Sequence, residues 1–99
     1  MSLIHDRAAS RFRLPLEDGG EAFIEYVEPD SGTLDLLHTV VPPAARGEGI
    51  GSGLVEQVLR YARDQDLRIV PSCPFVAAYL QEHPEYRELP AGALALCPR

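Results

Sequence analysis

The chain is short of basic residues. It has 9 Lys and Arg against 15 Asp and Glu among 99 residues, which gives a formal net charge of −6 and a pI near 4.9. Proteins that bind DNA or RNA use basic surface to displace counterions, so we expect no nucleic-acid partner. We also expect no membrane span, because no apolar run approaches the roughly 18 residues that a bilayer requires.

Signals for secretion and metal binding are missing too, and the chain is poor in cysteine. The first six residues lack the basic and then apolar layout of a secretory leader, so the cytoplasm is the expected location. The chain has two cysteines, Cys73 and Cys97. They could form one bridge, but a reducing cytosol favours two free thiols. No His or Cys has metal-ligand spacing, and we therefore predict no metal site.

What is present is the composition of an ordinary soluble globule, with 45% hydrophobic and 24% charged residues. A chain of this length supports one modest core, so we predict a single domain over residues 1–99.

Three segments of the first 41 residues predict an antiparallel meander. Residues 11–16 alternate as a half-buried strand, and Pro15 favours an edge position for it because proline cannot donate to a ladder. Residues 22–28 read as the returning strand after a turn. Residues 33–41 are apolar on both faces, which predicts a central strand covered on both sides.

The second half of the chain predicts two helices around a fourth strand. In residues 51–64 the apolar side chains fall on one helical stripe: Leu54, Val55, Val58, Leu59 and Ala62. Residues 67–70 follow as a strand, parallel to or splayed from residues 33–41. A short helix over residues 75–81 comes next, with Pro74 in its first position and Cys73 as its N-cap.

The loop over residues 42–51 carries glycines at alternate positions, Gly47, Gly49 and Gly51. Glycine lets backbone N–H groups turn inward, and a helix N-terminus attracts anions, so this loop predicts a phosphate or pyrophosphate site. It contains no lysine, which excludes a P-loop, and its Gly-x-Gly-x-Gly spacing does not fit a Rossmann fingerprint. The alternative is a plain turn that joins strand to helix.

Arg46, Gly49 and Gly51 resemble the Arg/Gln-x-x-Gly-x-Gly/Ala acyl-CoA signature of the GNAT N-acetyltransferase superfamily. Residues 36–42 and 71–76 are similar to small single-domain acetyltransferase-like proteins with a Pro-Ser-Cys-Pro motif. The resemblance implies an α+β (α/β) fold of minimal GNAT type. That fold has a three-stranded antiparallel meander, a crossover helix, a splayed fourth strand and a second short helix.

The resemblance also implies acetyl-CoA (coenzyme A) as the bound cofactor. Backbone groups of Val40 and Val41 would hydrogen-bond the pantetheine arm, and the loop N–H groups would hold the pyrophosphate. An irregularity of the ladder near Val41 and Pro42 would open the wedge for the thioester. The predicted cofactor-binding residues are Val40, Val41, Arg46, Gly47, Glu48, Gly49, Ile50, Gly51 and Ser52.

Three residues are candidates for catalysis. Cys73 at a helix N-terminus favours the thiolate, and the resemblance points to it as the reactive residue; the alternative is a small buried cap. His38 shares a face with Leu36 and Val40 on strand parity and could act as a general base or as a hydrogen-bonded core residue. Tyr79 occupies the position at which the resemblance places the tyrosine that protonates the leaving CoA thiolate. The alternative is a packing role beside Phe75 and Leu80.

We therefore expect an acetyl-CoA-dependent acyltransferase that moves an acetyl group to an amine, directly or through a cysteine. The alternatives are a non-catalytic acyl-CoA binding or sensing module and an interaction domain whose loop binds nothing. Larger members of the superfamily place helices between their first two strands, where this chain has only residues 17–21. The side of the cleft that receives the acceptor should therefore be open, which suits an amine of a protein or peptide. We expect the chain itself to be a monomer or a weak homodimer. The acceptor and the acyl length stay open.

Overall fold

The computed structural model describes residues 3–17, 19–47, 49–86 and 88–89, which form one five-stranded sheet and two helices. The sheet has the order β1-β2-β3-β4-β5; β1 to β4 are antiparallel and β5 is parallel to β4. The strands are β1 (Ile4–Asp6), β2 (Arg11–Pro15), β3 (Glu21–Asp30), β4 (Thr33–Val40) and β5 (Arg68–Val70), and the helices are α1 (Ile50–Asp64) and α2 (Pro74–Glu82). The predicted α+β class and its meander are confirmed.

The sheet contains one strand more than the sequence indicated. β1 is three residues long, and so short a segment shows no readable alternation. β1 pairs with residues 11–13 of β2, so β2 is an inner strand and the predicted edge position was wrong. Pro15 is the last residue of β2 and lies opposite Glu21 of β3, beyond the residues of β2 that pair with β1, and a proline is better tolerated at the end of a strand than in its middle.

The core lies between one face of the sheet and the two helices. The predicted stripe of α1 is confirmed, because all five of its apolar residues are buried. From the sheet and α2, the same cluster contains Phe12, Leu14, Ala22, Ile24, Tyr26, Leu34, Leu36, Ile69, Val76 and Tyr79. The core thus fixes both helices to the same side of the sheet.

β4 is covered on one face only. Leu34 and Leu36 are buried, whereas Leu37 is half-buried and Val40 is 39% exposed. The prediction that both faces of this strand are covered was therefore wrong. The physical reason is that α1 and α2 pack on the same face, which leaves apolar residues of the other face partly in water.

Helix α2 begins as the sequence predicted. Cys73 is the N-cap in extended conformation and Pro74 takes the first position, where its missing N–H costs nothing. Among the described residues, neither helix has the length and apolar character that a bilayer span would need.

Candidate functional site

A wedge opens between β4 and β5. β5 pairs only with Thr33, Leu34 and Asp35 of β4, although β4 continues to Val40. Beyond β5 the chain leaves the sheet, and the N–H of Cys73 donates to the carbonyl of Leu36 over 2.8 Å. Within the described part of the chain, no strand pairs with the last residues of β4 on this side, so their edge is open.

A β-bulge precedes the opening. Glu25 of β3 pairs with His38, while the next residue, Tyr26, pairs with Leu36. Leu37 is therefore the extra residue of β4, and the irregularity lies earlier in the strand than predicted. One extra residue reverses the alternation of side chains for the remainder of a strand.

The bulge decides which side chains face the core side. Thr39 pairs with buried Ile24 and faces the helices. His38 is exposed and lies opposite Glu25 on the outer face. The expectation that His38 shares a face with Leu36 was therefore wrong, although its role as a base stays a prediction.

The three glycines of the loop are required for two different reasons. Gly47 has a φ of +86° and Gly49, the N-cap of α1, a φ of +77°, in the left-handed region that favours glycine. At Gly51 the reason is packing, because a Cβ there would lie 3.1 Å from Cζ of Phe75, and the ring would have to shift by a few tenths of an ångström to make room for it. The first two positions shape the loop, and the third lets α1 and α2 approach each other.

The loop, the end of β4 and the start of α2 enclose a cleft of about 370 Å³. It is lined by Thr39, Val41, Ala45, Arg46, Gly47, Gly49, Ile50, Gly51, Ser52 and Phe75. Most of the predicted cofactor residues are thus brought together, but Val40 is not part of this lining, and Glu48 lies outside the described residues. Sequence reasoning missed Thr39, Ala45 and Phe75; the only signal for Phe75 was its place directly after Pro-Ser-Cys-Pro.

The electrostatics of the cleft suit an anion. The first turn of α1 contributes N–H groups that have no partner within the helix, and none of its described side chains is acidic. The exposed Arg46 side chain is held at the rim, where its Nε donates to the carbonyl of Val41 over 3.2 Å. A phosphate at this position would meet the positive end of the helix dipole.

Cys73 lies directly behind the cleft. It is a free cysteine, 4% exposed, and its Sγ lies 3.4 Å from Oγ1 of Thr39. Burial raises the pKa of the thiol, but the hydrogen bond with Thr39 and backbone N–H groups at the start of α2 outweigh it, so the net pKa lies below the ordinary value. The sulfur forms no geometric capping hydrogen bond, although the backbone N–H groups of Phe75 and Val76 at the start of α2 lower the pKa of the thiol. Cys97 lies outside the described residues.

Tyr79 is packed between the helices and does not line the cleft. It is 7% exposed, and its ring stacks on His83 with the centroids 3.8 Å apart. Burial raises the pKa of its hydroxyl, and the charge of Glu56 adds to the rise. The phenol therefore keeps its proton at neutral pH, and its role as an acid stays a prediction.

Comparison with known proteins gives one family. The sequence model described as GCN5-related N-acetyl-transferase matches residues 11–89, which contain the cleft and both helices. The solution structure of a GCN5-like protein from Staphylococcus aureus superimposes with a TM-score of 0.65 at 23% identity, covering 92% of this chain and 88% of that one. At this identity the likeness concerns the fold alone, and it confirms the predicted GNAT-like architecture.

Relatives at the sequence level include proteins named NATD1 and a mycothiol acetyltransferase. Protein NATD1 of Homo sapiens is 34% identical over 83 residues, which is 81% of this chain and 72% of that protein. Protein NATD1 of Xenopus tropicalis is also 34% identical over 83 residues, with 74% of that protein covered. A mycothiol acetyltransferase of Nocardiopsis dassonvillei is 46% identical over 66 residues, but these are only 18% of its length.

Proposed function

Since this chain belongs to the family of GCN5-related N-acetyltransferases, we propose that it transfers an acetyl group from acetyl-CoA to an amine. The observation that carries the proposal is the position of the cleft. It lies between the N-terminus of α1, which attracts phosphate, and the open edge of β4, which offers unpaired backbone groups to an extended chain.

The size of the cleft and its glycine backbone support acetyl-CoA as the ligand. Its volume of about 370 Å³ falls in the range of small-molecule sites. At Gly47 and Gly49 an added Cβ would meet nothing within 4 Å, so the backbone faces open space, which is where the proposed pyrophosphate would lie. Val40 and Val41, at the open edge, are the proposed partners of the pantetheine arm.

Two routes lead from the thioester to the amide. In the direct route the amine attacks the acetyl carbonyl carbon, the bond to the CoA sulfur breaks, and the proton that the amine gives up is balanced by the proton that the departing CoA thiolate takes up. In the other route the Cys73 thiolate attacks first and CoA leaves as a thiolate that takes up a proton; the amine then displaces Cys73. The lowered pKa of the Cys73 thiol and the 3.4 Å contact of its sulfur with Thr39, which lines the cleft, support the second route.

His38 and Tyr79 receive less support as catalytic residues. His38 is exposed on the outer face of the sheet, and Tyr79 is not part of the cleft lining. Their placement is the observation that favours the alternative, a non-catalytic acyl-CoA binding or sensing module. Release of free CoA in the presence of amines, peptides among them, separates the two, because a binding module releases none.

Binding of acetyl-CoA is expected to raise the melting temperature of the protein. A ligand that binds only the native state at a hundredfold excess over its Kd contributes about 2.7 kcal/mol, which for a domain of this size is a rise of about 10 °C. Differential scanning fluorimetry with acetyl-CoA, CoA and ATP measures it. A saturable rise with acetyl-CoA and none with ATP supports the proposal, and no rise at millimolar acetyl-CoA overturns it.

Incubation with acetyl-CoA in the absence of an amine is expected to acetylate Cys73. Intact mass should rise by one acetyl group, peptide mapping should locate that group on Cys73, and Cys73→Ala should remove it. Ser72→Ala serves as the matched control, since Ser72 is the exposed neighbour of the same segment. Turnover without any mass change in the wild type would contradict the route through Cys73 and leave direct transfer.

A further inference from the structure

Thr39 connects the cleft to the buried thiol. Its side chain lines the cleft, whereas Cys73 does not, and the hydroxyl Oγ1 lies 3.4 Å from the Sγ of Cys73. Because the thiol is only 4% exposed, the Thr39 hydroxyl is the polar group that stands at the boundary between the cleft and the sulfur.

The pairing of Thr39 with Cys73 depends on two irregular features of the fold. Strict alternation from Leu36 would turn Thr39 to the outer face, and the bulge at Leu37 reverses it. On the other side, the hydrogen bond from the Cys73 N–H to the carbonyl of Leu36 ties the start of α2 to the same strand. Thr39 therefore lies on β4, and Cys73 is held to the same strand by its hydrogen bond with Leu36.

We propose that Thr39 is a positioning residue, whose hydroxyl holds the Cys73 sulfur at the wall of the cleft and donates a hydrogen bond to its thiolate. The inference rests on the proposed function, in which Cys73 accepts the acetyl group. A neutral thiol and a hydroxyl can each donate to the other, but a thiolate can only accept, so ionisation fixes the Thr39 O–H as the donor. When the thiolate attacks the carbonyl carbon, the new C–S bond replaces this hydrogen bond.

Charged side chains do not explain why the pKa of the Cys73 thiol is lowered. Among the described residues, the groups that lower the pKa of this thiol are the Thr39 hydroxyl and backbone N–H groups, and none is an ionised side chain. On β4 the titratable residues Asp35 and His38 face the opposite side of the sheet. On the helices, the charge of Glu56 of α1 raises the pKa of Tyr79 of α2, and neither residue is among the groups that shift the pKa of Cys73.

The pH dependence of Cys73 alkylation tests the proposal. The wild type and Thr39→Val are treated with iodoacetamide between pH 5 and 10, and the rate is read at the Cys73 peptide by mass spectrometry, so Cys97 does not interfere. Valine keeps the shape of threonine and lacks the hydroxyl. We expect the profile of Thr39→Val to move to higher pH and its rate at pH 7 to fall about tenfold, because a hydrogen bond to the thiolate is lost.

Two further variants separate positioning from packing. Thr39→Ser keeps the hydroxyl and should restore the wild-type profile, and Ser72→Ala should not change it. If Thr39→Val fails to fold, Thr39→Ala removes the hydroxyl without a branched side chain. A folded hydroxyl-free variant with the wild-type profile overturns the inference. Because the alkylation needs no acetyl-CoA, this outcome is independent of the acetyl-CoA titration that tests the proposed function.

Discussion

Substituting Gly49→Val is expected to abolish the rise in melting temperature that acetyl-CoA produces in the wild type. Gly49 caps α1 with a φ of +77° and faces open space in the cleft. A valine side chain would occupy the space assigned to the pyrophosphate and would turn the first N–H groups of the helix away from it. The rise of about 10 °C at a hundredfold excess over the wild-type Kd should then disappear.

The strain of Gly49→Val requires its own control, because a β-branched residue with positive φ costs about 1–2 kcal/mol by itself. Gly32 provides it, since it has a φ of +98°, nothing within 4 Å of an added Cβ, and a place in the β3–β4 turn outside the cleft lining. Gly32→Val should lower the melting temperature by a similar amount and keep the full response to acetyl-CoA. An unchanged response in Gly49→Val would refute the placement of the pyrophosphate.

Phe12→Ala is expected to have the largest effect on stability. The Phe12 side chain is fully buried, and its ring lies 4.3 Å from His5, 5.1 Å from Tyr26 and 5.6 Å from Tyr61, measured between centroids. Truncation of a buried phenylalanine costs about 3–5 kcal/mol, a large part of the 5–15 kcal/mol that holds a domain together. We expect the melting temperature to fall by about 15 °C or more.

Phe23→Ala is the matched control for Phe12→Ala. Phe23 is a phenylalanine of the neighbouring strand on the outer face, half-buried, with the guanidinium of Arg11 4.3 Å from its ring centroid. Loss of that partly exposed contact should lower the free energy of unfolding by about 1 kcal/mol. Urea denaturation of both variants measures the difference. Equal losses would contradict a core that lies on one face of the sheet.

The local pattern of the sequence was enough to place strands β2 to β5, both helices and most of the residues of the cleft loop. Alternation in residues 11–16 and the apolar stripe of α1 depend only on neighbouring residues, and such periods are read directly. The loop glycines and the Pro74 start of α2 are equally local, since one residue sets the backbone conformation there. These signals sufficed to bring Gly49, Gly51 and their neighbours into one predicted cofactor site.

The register of β4 against β3 could not be predicted from that local pattern. The alternation from Leu36 placed His38 toward the core, and the bulge at Leu37 turned Thr39 there instead. A bulge is decided by the pairing of β4 with β3, whose residues lie far away in sequence. The same holds for Phe75, whose contact with Gly51 exists only once α1 and α2 are packed.

By itself, the sequence determined the order of β2 to β5 and of the two helices, the stripe that builds the core, and the glycine loop at the start of α1. The tertiary structure decided that both helices cover one face, that β5 pairs with only the beginning of β4, and that Thr39 meets Cys73 behind the cleft. The first set follows from backbone preferences and local periodicity. The second depends on contacts between distant segments, which form only when the whole sheet is assembled.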